Sequence, residues 1–132
     1  MSESESHWPE VVTEVYAVLS NGAGAVGLTS IAGGHQLPGG RFHLQESAEA
    51  ALMRLVKEVH NLDIAVGSLS GLYQRPELCR LALVFRAELL DGDAAVLAWA
   101  KPGEWPADLV PGTTLRISDA MRFDGKTALR LQ

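Results

Sequence analysis

The order of hydrophobic and polar positions predicts two groups of strands, each followed by a helix. Segments in which β-branched and other apolar residues alternate with polar ones are expected to be strands, and they lie at 11–20, 25–30, 64–74, 79–90 and 94–99. The turn sequence NGAG between the first two predicts that they pair as a hairpin. Helices are predicted at 48–60 and around 112–123. This order implies an α+β fold in which a mixed β-sheet is sandwiched between helices.

The first predicted helix carries its own start and stop signals. Ser47 is a good N-cap, Glu49 suits the positive end of the helix dipole, and Asn61 is placed to end the helix after His60. The preceding segment, 31–46, contains too many glycine and polar residues for a regular element, so we predict a long loop there. Long loops in small domains are often functional, which makes this loop and helix the first candidates for a functional site.

The same helix has a wide apolar face. At ~100° per residue, the apolar side chains that share one side are Ala48, Ala51, Leu52, Leu55, Val59 and Leu62, with Val56 at the edge. Two interpretations of this width stay open. The additional apolar residues enlarge the core, or they form a surface that faces a partner or a ligand.

Length, charge and cysteine content narrow the class of protein. The 132 residues suit a single domain at 1–132, with a flexible N-terminal segment expected at 1–9. The net charge of -5 argues against nucleic acid or an anionic membrane as a partner, and no apolar run approaches the ~20 residues of a membrane span. A single cysteine, Cys79, excludes an internal disulfide, and the start MSESESHWPE is unlike a signal peptide. We therefore expect a cytoplasmic protein.

A spaced set of residues across the loop and the helix carries a resemblance to a known family. The set begins at the last glycine of LPGG and continues with a glutamate, an arginine, an apolar residue, a second glutamate and a closing apolar residue, namely Gly40, Glu46, Arg54, Val56, Glu58 and Leu62. This spacing resembles the box of the Nudix hydrolase (MutT-like) family. The segments SGLYQRP and WAKPGEWPADL are also similar to family sequence, so the resemblance spans nearly the whole chain.

The resemblance implies a Mg²⁺-dependent (or Mn²⁺-dependent) pyrophosphohydrolase that acts on a nucleoside diphosphate linked to another group. This chain departs from the box, with Leu55 and Val59 at glutamate positions and Asn61 at the glycine position. On a helix, positions 55, 58 and 59 fall within an arc of ~100°, so three carboxylates there would converge on one cation. Aliphatic side chains cannot bind Mg²⁺. We therefore predict a broken metal site, with hydrolase activity that is weak or absent.

The resemblance also supplies candidate site residues. Glu58 and Glu46 are the catalytic candidates, and Glu58 and Glu104 are the candidate metal ligands. The candidate substrate-binding residues are two glycines, whose amides could face phosphate, and three arginines: Gly39, Gly40, Arg54, Arg75 and Arg80. The alternative for Glu46 and Arg54 is an ion pair that braces the loop against the helix. For the other charged candidates, the alternative is an ordinary solvated surface.

Three functions stay open on this evidence. The first is a divergent enzyme, for which a replacement metal set could draw on His35, His43 and His60. The second is a non-catalytic sensor or regulator that binds a small-molecule nucleotide derivative. The third is an interaction module, expected as a homodimer, that uses the wide apolar face of the helix.

Overall fold

The computed structural model describes residues 10–43 and 45–132, and the predicted flexible segment 1–9 lies outside these ranges. The strands of the described part are β1 (Val12–Leu19), β2 (Val26–Ile31), β3 (Gly34–Gln36), β4 (Gly39–Arg41), β5 (Asp63–Arg75), β6 (Arg80–Asp91), β7 (Ala98–Ala100) and β8 (Ala128–Leu131). Its helices are α1 (Ala48–His60) and α2 (Thr113–Met121), with short 3₁₀ turns at Pro76–Leu78 and Ala94–Val96. The predicted α+β class is confirmed.

A five-stranded mixed sheet forms the centre of the fold, in the order β4-β1-β6-β5-β8. β1 pairs parallel with β6 and antiparallel with β4, while β5 pairs antiparallel with β6 and parallel with β8. The other three strands form a second sheet in the order β3-β2-β7. The glycine-containing strand β4 is therefore an edge strand of the larger sheet.

The larger sheet has a hydrophobic core on each face, because successive residues of a strand point to opposite sides. Val15 of β1 packs with Leu52 of α1 in one buried cluster. Its neighbour Tyr16 belongs to a second cluster that includes Ile117 of α2. The sheet is thus sandwiched between the two helices, as predicted.

The predicted bounds of α1 are confirmed by its caps. The Ser47 hydroxyl oxygen accepts a hydrogen bond from the backbone N–H of Ala50 at 3.1 Å. Asn61 adopts the left-handed conformation, with φ of 54°, and its N–H donates to the carbonyl oxygen of Lys57. Within 10–43 and 45–132, neither helix has both the length and the apolar character needed to cross a membrane.

The predicted hairpin between the first two strands is wrong. β1 and β2 lie in different sheets, and the described residues connect them by an isolated bridge between Ser20 and Val26. The turn itself is present, since the Asn21 side chain accepts hydrogen bonds from the N–H groups of Ala23 and Ala25. A local turn signal sets where the chain reverses and does not determine which sheet the following strand joins.

Three further segments differ from the predictions. The segment 31–46 is not a loop throughout, because it contains the short strands β3 and β4. In the predicted strand 94–99, the Asp93 carboxylate accepts a hydrogen bond from the Ala95 N–H and starts a 3₁₀ turn, so strand pairing is confined to Ala98–Ala100. The last strand, β8, was not predicted.

A partly buried group of hydrogen bonds connects α2 to the sheet and to the last strand. The hydroxyl of fully buried Tyr73 donates to a carboxylate oxygen of Asp119 at 2.8 Å. Arg130 of β8 donates to both oxygens of the same carboxylate, at 2.6 and 2.7 Å. The hydrogen bonds from Arg130 have the largest effect, and together with the one from Tyr73 they hold the pKa of Asp119 below its ordinary value of 3.8.

Asp119→Asn is expected to lower the free energy of unfolding by about 1–3 kcal/mol at pH 7, because it removes charge-assisted hydrogen bonds from a nearly buried site. A carboxyl group whose pKa is depressed by folding stabilises the protein above its unfolded pKa, and this stability is lost as the pH falls through the folded pKa. The difference between wild type and variant should therefore shrink below pH 3.8. Urea unfolding at pH 7 and pH 3 measures it, with the exposed Asp91→Asn as control. A difference that is independent of pH would contradict the assignment.

Candidate functional site

The glycine strand lies closely against β1 at the start of the candidate site. The N–H of Ala17 donates to the carbonyl oxygen of Pro38, and the N–H of Phe42 donates to that of Thr13, at 2.9 and 3.1 Å. Gly39 has φ of 145°, and a Cβ atom there would overlap the backbone carbonyl oxygen of Val15. Only glycine allows this close approach, so the residue at 39 has a structural role in positioning the edge strand.

An ion-pair cluster joins the loop to α1. The Arg54 guanidinium donates to the two carboxylate oxygens of Glu46 at 2.5 and 3.2 Å, and to Glu58 at 3.4 Å. The hydrogen bond from Arg54 lowers the pKa of Glu46. Both carboxylates predicted as catalytic thus share one arginine, and this geometry suits the alternative in which Glu46 and Arg54 brace the loop.

The two aliphatic residues of the arc have different surroundings. Leu55 is partly buried, packs against the core between sheet and helix, and lies 3.9 Å from the position of a Cβ atom on Gly40. Val59 is 66% exposed. Core enlargement therefore describes Leu55 and is wrong for Val59, which lies at the surface one turn further along α1.

The residues near the arc do not fit a Mg²⁺ ion. Glu58 is the arc's carboxylate, and it is already paired with Arg54. Octahedral coordination of a hard cation needs several oxygen ligands, whereas Leu55 occupies the space between α1 and Gly40 with carbon. Among residues 10–43 and 45–132, no three His, Cys, Asp or Glu side chains are grouped so that they could hold a metal ion. The pairing of Glu58 with Glu104 as metal ligands stays a prediction.

Neither Glu104 nor any of the three candidate histidines belongs to a possible metal-binding group among the described residues. Glu104 is exposed in a turn closed by its own N–H and the carbonyl oxygen of Lys101. His35 is engaged elsewhere, with its Nδ1 atom 2.7 Å from the Asp108 carboxylate and its Nε2 atom 3.3 Å from the Ser30 hydroxyl. These contacts tie β3 to the loop that precedes α2.

The structure brings Arg75 and Arg80 together at another place. They lie directly opposite each other on β5 and β6, at a pocket of about 130 Å³ on the α2 face of the sheet. Arg116 of α2 completes this group. The predicted site residues therefore fall into two sets, one around α1 and β4 and one across the sheet from it. Arg116 was not predicted, because only the fold brings the second helix beside these strands.

Comparison with known proteins finds relatives of this chain in sequence and in fold. No protein-family model matches the chain. A protein of Bacillus subtilis (strain 168) described as "Putative 8-oxo-dGTP diphosphatase" is 34% identical over 90 residues, which are 63% of this chain. The chain spans 60% of the length of that relative.

Solved structures of low sequence identity share the architecture. A NUDIX hydrolase from Nitrosomonas europaea matches with a TM-score of 0.74 and 22% identity, covering 96% of this chain and 81% of that one. An ADP-ribose pyrophosphatase from Streptococcus suis 89-1591 matches with a TM-score of 0.77 and 15% identity, covering 93% and 100%. The chain therefore has the Nudix fold. Its predicted resemblance to the MutT-like Nudix family is confirmed by these structures together with the sequence relative.

Proposed function

We propose that this chain is a divergent Nudix-fold protein whose hydrolysis of nucleoside diphosphate derivatives, by the metal-dependent route that the family resemblance implies, is weak or absent. The observation that carries the proposal is the surroundings of Glu58. On the arc where three carboxylates would converge, Leu55 packs toward Gly40, Val59 is exposed, and Glu58 is paired with Arg54. Without further oxygen ligands, little electrostatic stabilisation of a reacting phosphate is available there.

The substrate class follows from the relatives and belongs to the proposal. The names of the matched proteins include an ADP-ribose pyrophosphatase and a UDP-X diphosphatase. Each name describes an anhydride between two phosphates with a nucleoside on one side. A nucleoside diphosphate linked to a second group is therefore the class of ligand to test first.

A second candidate function is a sensor or regulator that binds such a ligand without cleaving it. The observation that favours it is the group formed by Arg75, Arg80 and Arg116, which could bind an anionic ligand without a metal. The third candidate, a homodimeric interaction module, would need a broad apolar surface on α1. The exposed apolar residues of that helix, Met53 and Val59, lie on different sides of it.

Binding measurements with and without metal separate these candidates. We expect ADP-ribose to bind in EDTA with an affinity that changes less than about threefold when Mg²⁺ or Mn²⁺ replaces EDTA, with little release of AMP. Affinity that depends strongly on metal, together with rapid AMP release, would contradict the proposal. Absence of binding to ADP-ribose and to nucleoside triphosphates would favour the interaction module. Sedimentation analysis of the free chain then shows whether it is a dimer.

A further inference from the structure

The pocket on the α2 face gathers three guanidinium groups from three different elements. We call it the arginine pocket; its charged and polar lining includes Glu14, Tyr16, Gln36, Arg75, Arg80 and Arg116. Among these lining residues, Glu14 is the single carboxylate, so the pocket carries an excess of positive charge. The whole chain has a net charge of -5, and such a local excess is therefore not a general property of its surface.

The protein's own groups leave this positive charge largely uncompensated. Arg75 and Arg80 are directly opposite on β5 and β6, a position where like charges destabilise a sheet. Within the described ranges, Arg75 has one ion pair, a long contact of 3.7 Å from its Nε atom to the Glu77 carboxylate, and Arg80 has none. The same Nε atom is buried and has no hydrogen-bond partner there. Two adjacent cations and a buried donor without an acceptor indicate a place for an anion.

Arg116 is held in a fixed orientation beside them. Its Nε donates to the side-chain oxygen of Gln132 at 2.9 Å. Its guanidinium carbon lies 5.6 Å from the ring centre of Tyr16 and 5.1 Å from that of Tyr73. These contacts leave the terminal nitrogens without a carboxylate within 4.0 Å in the described chain. A rigid cation loses little conformational entropy when it binds a ligand.

We propose that the arginine pocket binds a phosphate group. Guanidinium groups match the oxygens of phosphate with paired hydrogen bonds, and three of them offset a dianion even after the charge of Glu14 is counted. The volume of about 130 Å³ is well below the ~300–1,000 Å³ of pockets that enclose whole drug-sized ligands, so the site accepts a small group. It lies across the sheet from Glu58, so the proposal does not depend on the proposed loss of hydrolysis. The sensor alternative invokes the same three arginines.

The test is a calorimetric titration of the full chain with inorganic phosphate in EDTA, which excludes binding through a metal. Arg80→Gln removes one cation from the pocket without breaking a hydrogen bond observed in the described chain. We expect it to weaken phosphate binding at least tenfold, which corresponds to 1.4 kcal/mol. Arg80→Lys keeps the charge and loses the paired hydrogen-bond donors, so its affinity for phosphate should lie between those of wild type and Arg80→Gln. Arg122→Gln, an exposed arginine at the end of α2, is the matched control and should bind phosphate like wild type.

Several outcomes would overturn the proposal. One is the absence of phosphate binding to wild type at about 10 mM, and another is equal affinity in Arg80→Gln and Arg122→Gln. Malonate tests the chemistry of the anion, because tighter binding of this dicarboxylate than of phosphate would assign the pocket to carboxylates. Thermal unfolding of each variant confirms that it is folded. Hydrolysis assays are separate from this titration, so failure of the proposed function leaves the result on phosphate intact.

Discussion

A chain that carries both Leu55→Glu and Val59→Glu is expected to bind Mg²⁺ beside Glu58 and to cleave ADP-ribose at least about a hundredfold faster than the unmodified chain. The two substitutions restore three carboxylates within the ~100° arc of α1, and hard oxygen ligands are what Mg²⁺ requires. A metal ion placed there stabilises charge on the reacting phosphate, which contributes several kcal/mol of transition-state stabilisation. Calorimetry with Mg²⁺ and the rate of AMP release measure both effects.

The structure also provides a control of equal charge for this experiment. Ala50→Glu with Met53→Glu adds two carboxylates to exposed positions of the same helix, outside the arc. This control should gain neither metal binding nor turnover. Leu55→Glu removes a partly buried leucine, so the free energy of unfolding should be measured for every variant. A folded double variant that binds no Mg²⁺ would show that the lost carboxylates do not explain the missing site.

Gly39→Ala is expected to lower the free energy of unfolding by about 2–4 kcal/mol. The φ of 145° at this position is in a region that residues with a Cβ rarely adopt, and the new Cβ would overlap the carbonyl oxygen of Val15. The edge strand β4 must then move away from β1, which weakens the hydrogen bonds at Ala17 and Phe42. Urea unfolding followed by circular dichroism measures the change.

Gly22→Ala is the control for that substitution. Gly22 lies in the first turn, where a Cβ would meet no atom within 4 Å. Its replacement should change the free energy of unfolding by less than about 0.5 kcal/mol. Equal effects at the two positions would mean that the approach of β4 to β1 does not require glycine at 39.

The elements that the sequence predicted correctly are those with local signals. Ser47 and Asn61 form the caps of α1 from side chains and backbone within one turn of the helix, so a short window of sequence contains the information. The strands β3 and β4 lacked such a signal. Glycine is depleted in strands, and β4 is paired through contacts with β1, more than twenty positions earlier in the chain. Which sheet β2 joins is decided by its pairing with β7, whose partner residues lie 70–74 positions further along the chain (Leu28 with Ala98, Val26 with Ala100).

In the candidate site, too, the features set by nearby residues were predicted and those set by packing between distant segments were not. The pairing of Glu46 with Arg54 and the aliphatic residues at 55 and 59 follow from spacing along one loop and one helix. The exposure of Val59 does not, because it depends on how α1 packs against the sheet. Arg75 and Arg80 were candidates from the sequence, whereas the contribution of Arg116 to their pocket requires the packing of α2 on the sheet.

The most direct test of the central claim is calorimetric titration of the unmodified chain with Mg²⁺, with AMP release from ADP-ribose measured in the same buffer. Carbon in place of oxygen at 55 and 59 predicts no saturable Mg²⁺ binding below about 10 mM and turnover near the rate in EDTA. Stoichiometric Mg²⁺ binding that is abolished by Glu58→Gln, accompanied by rapid cleavage, would contradict the account.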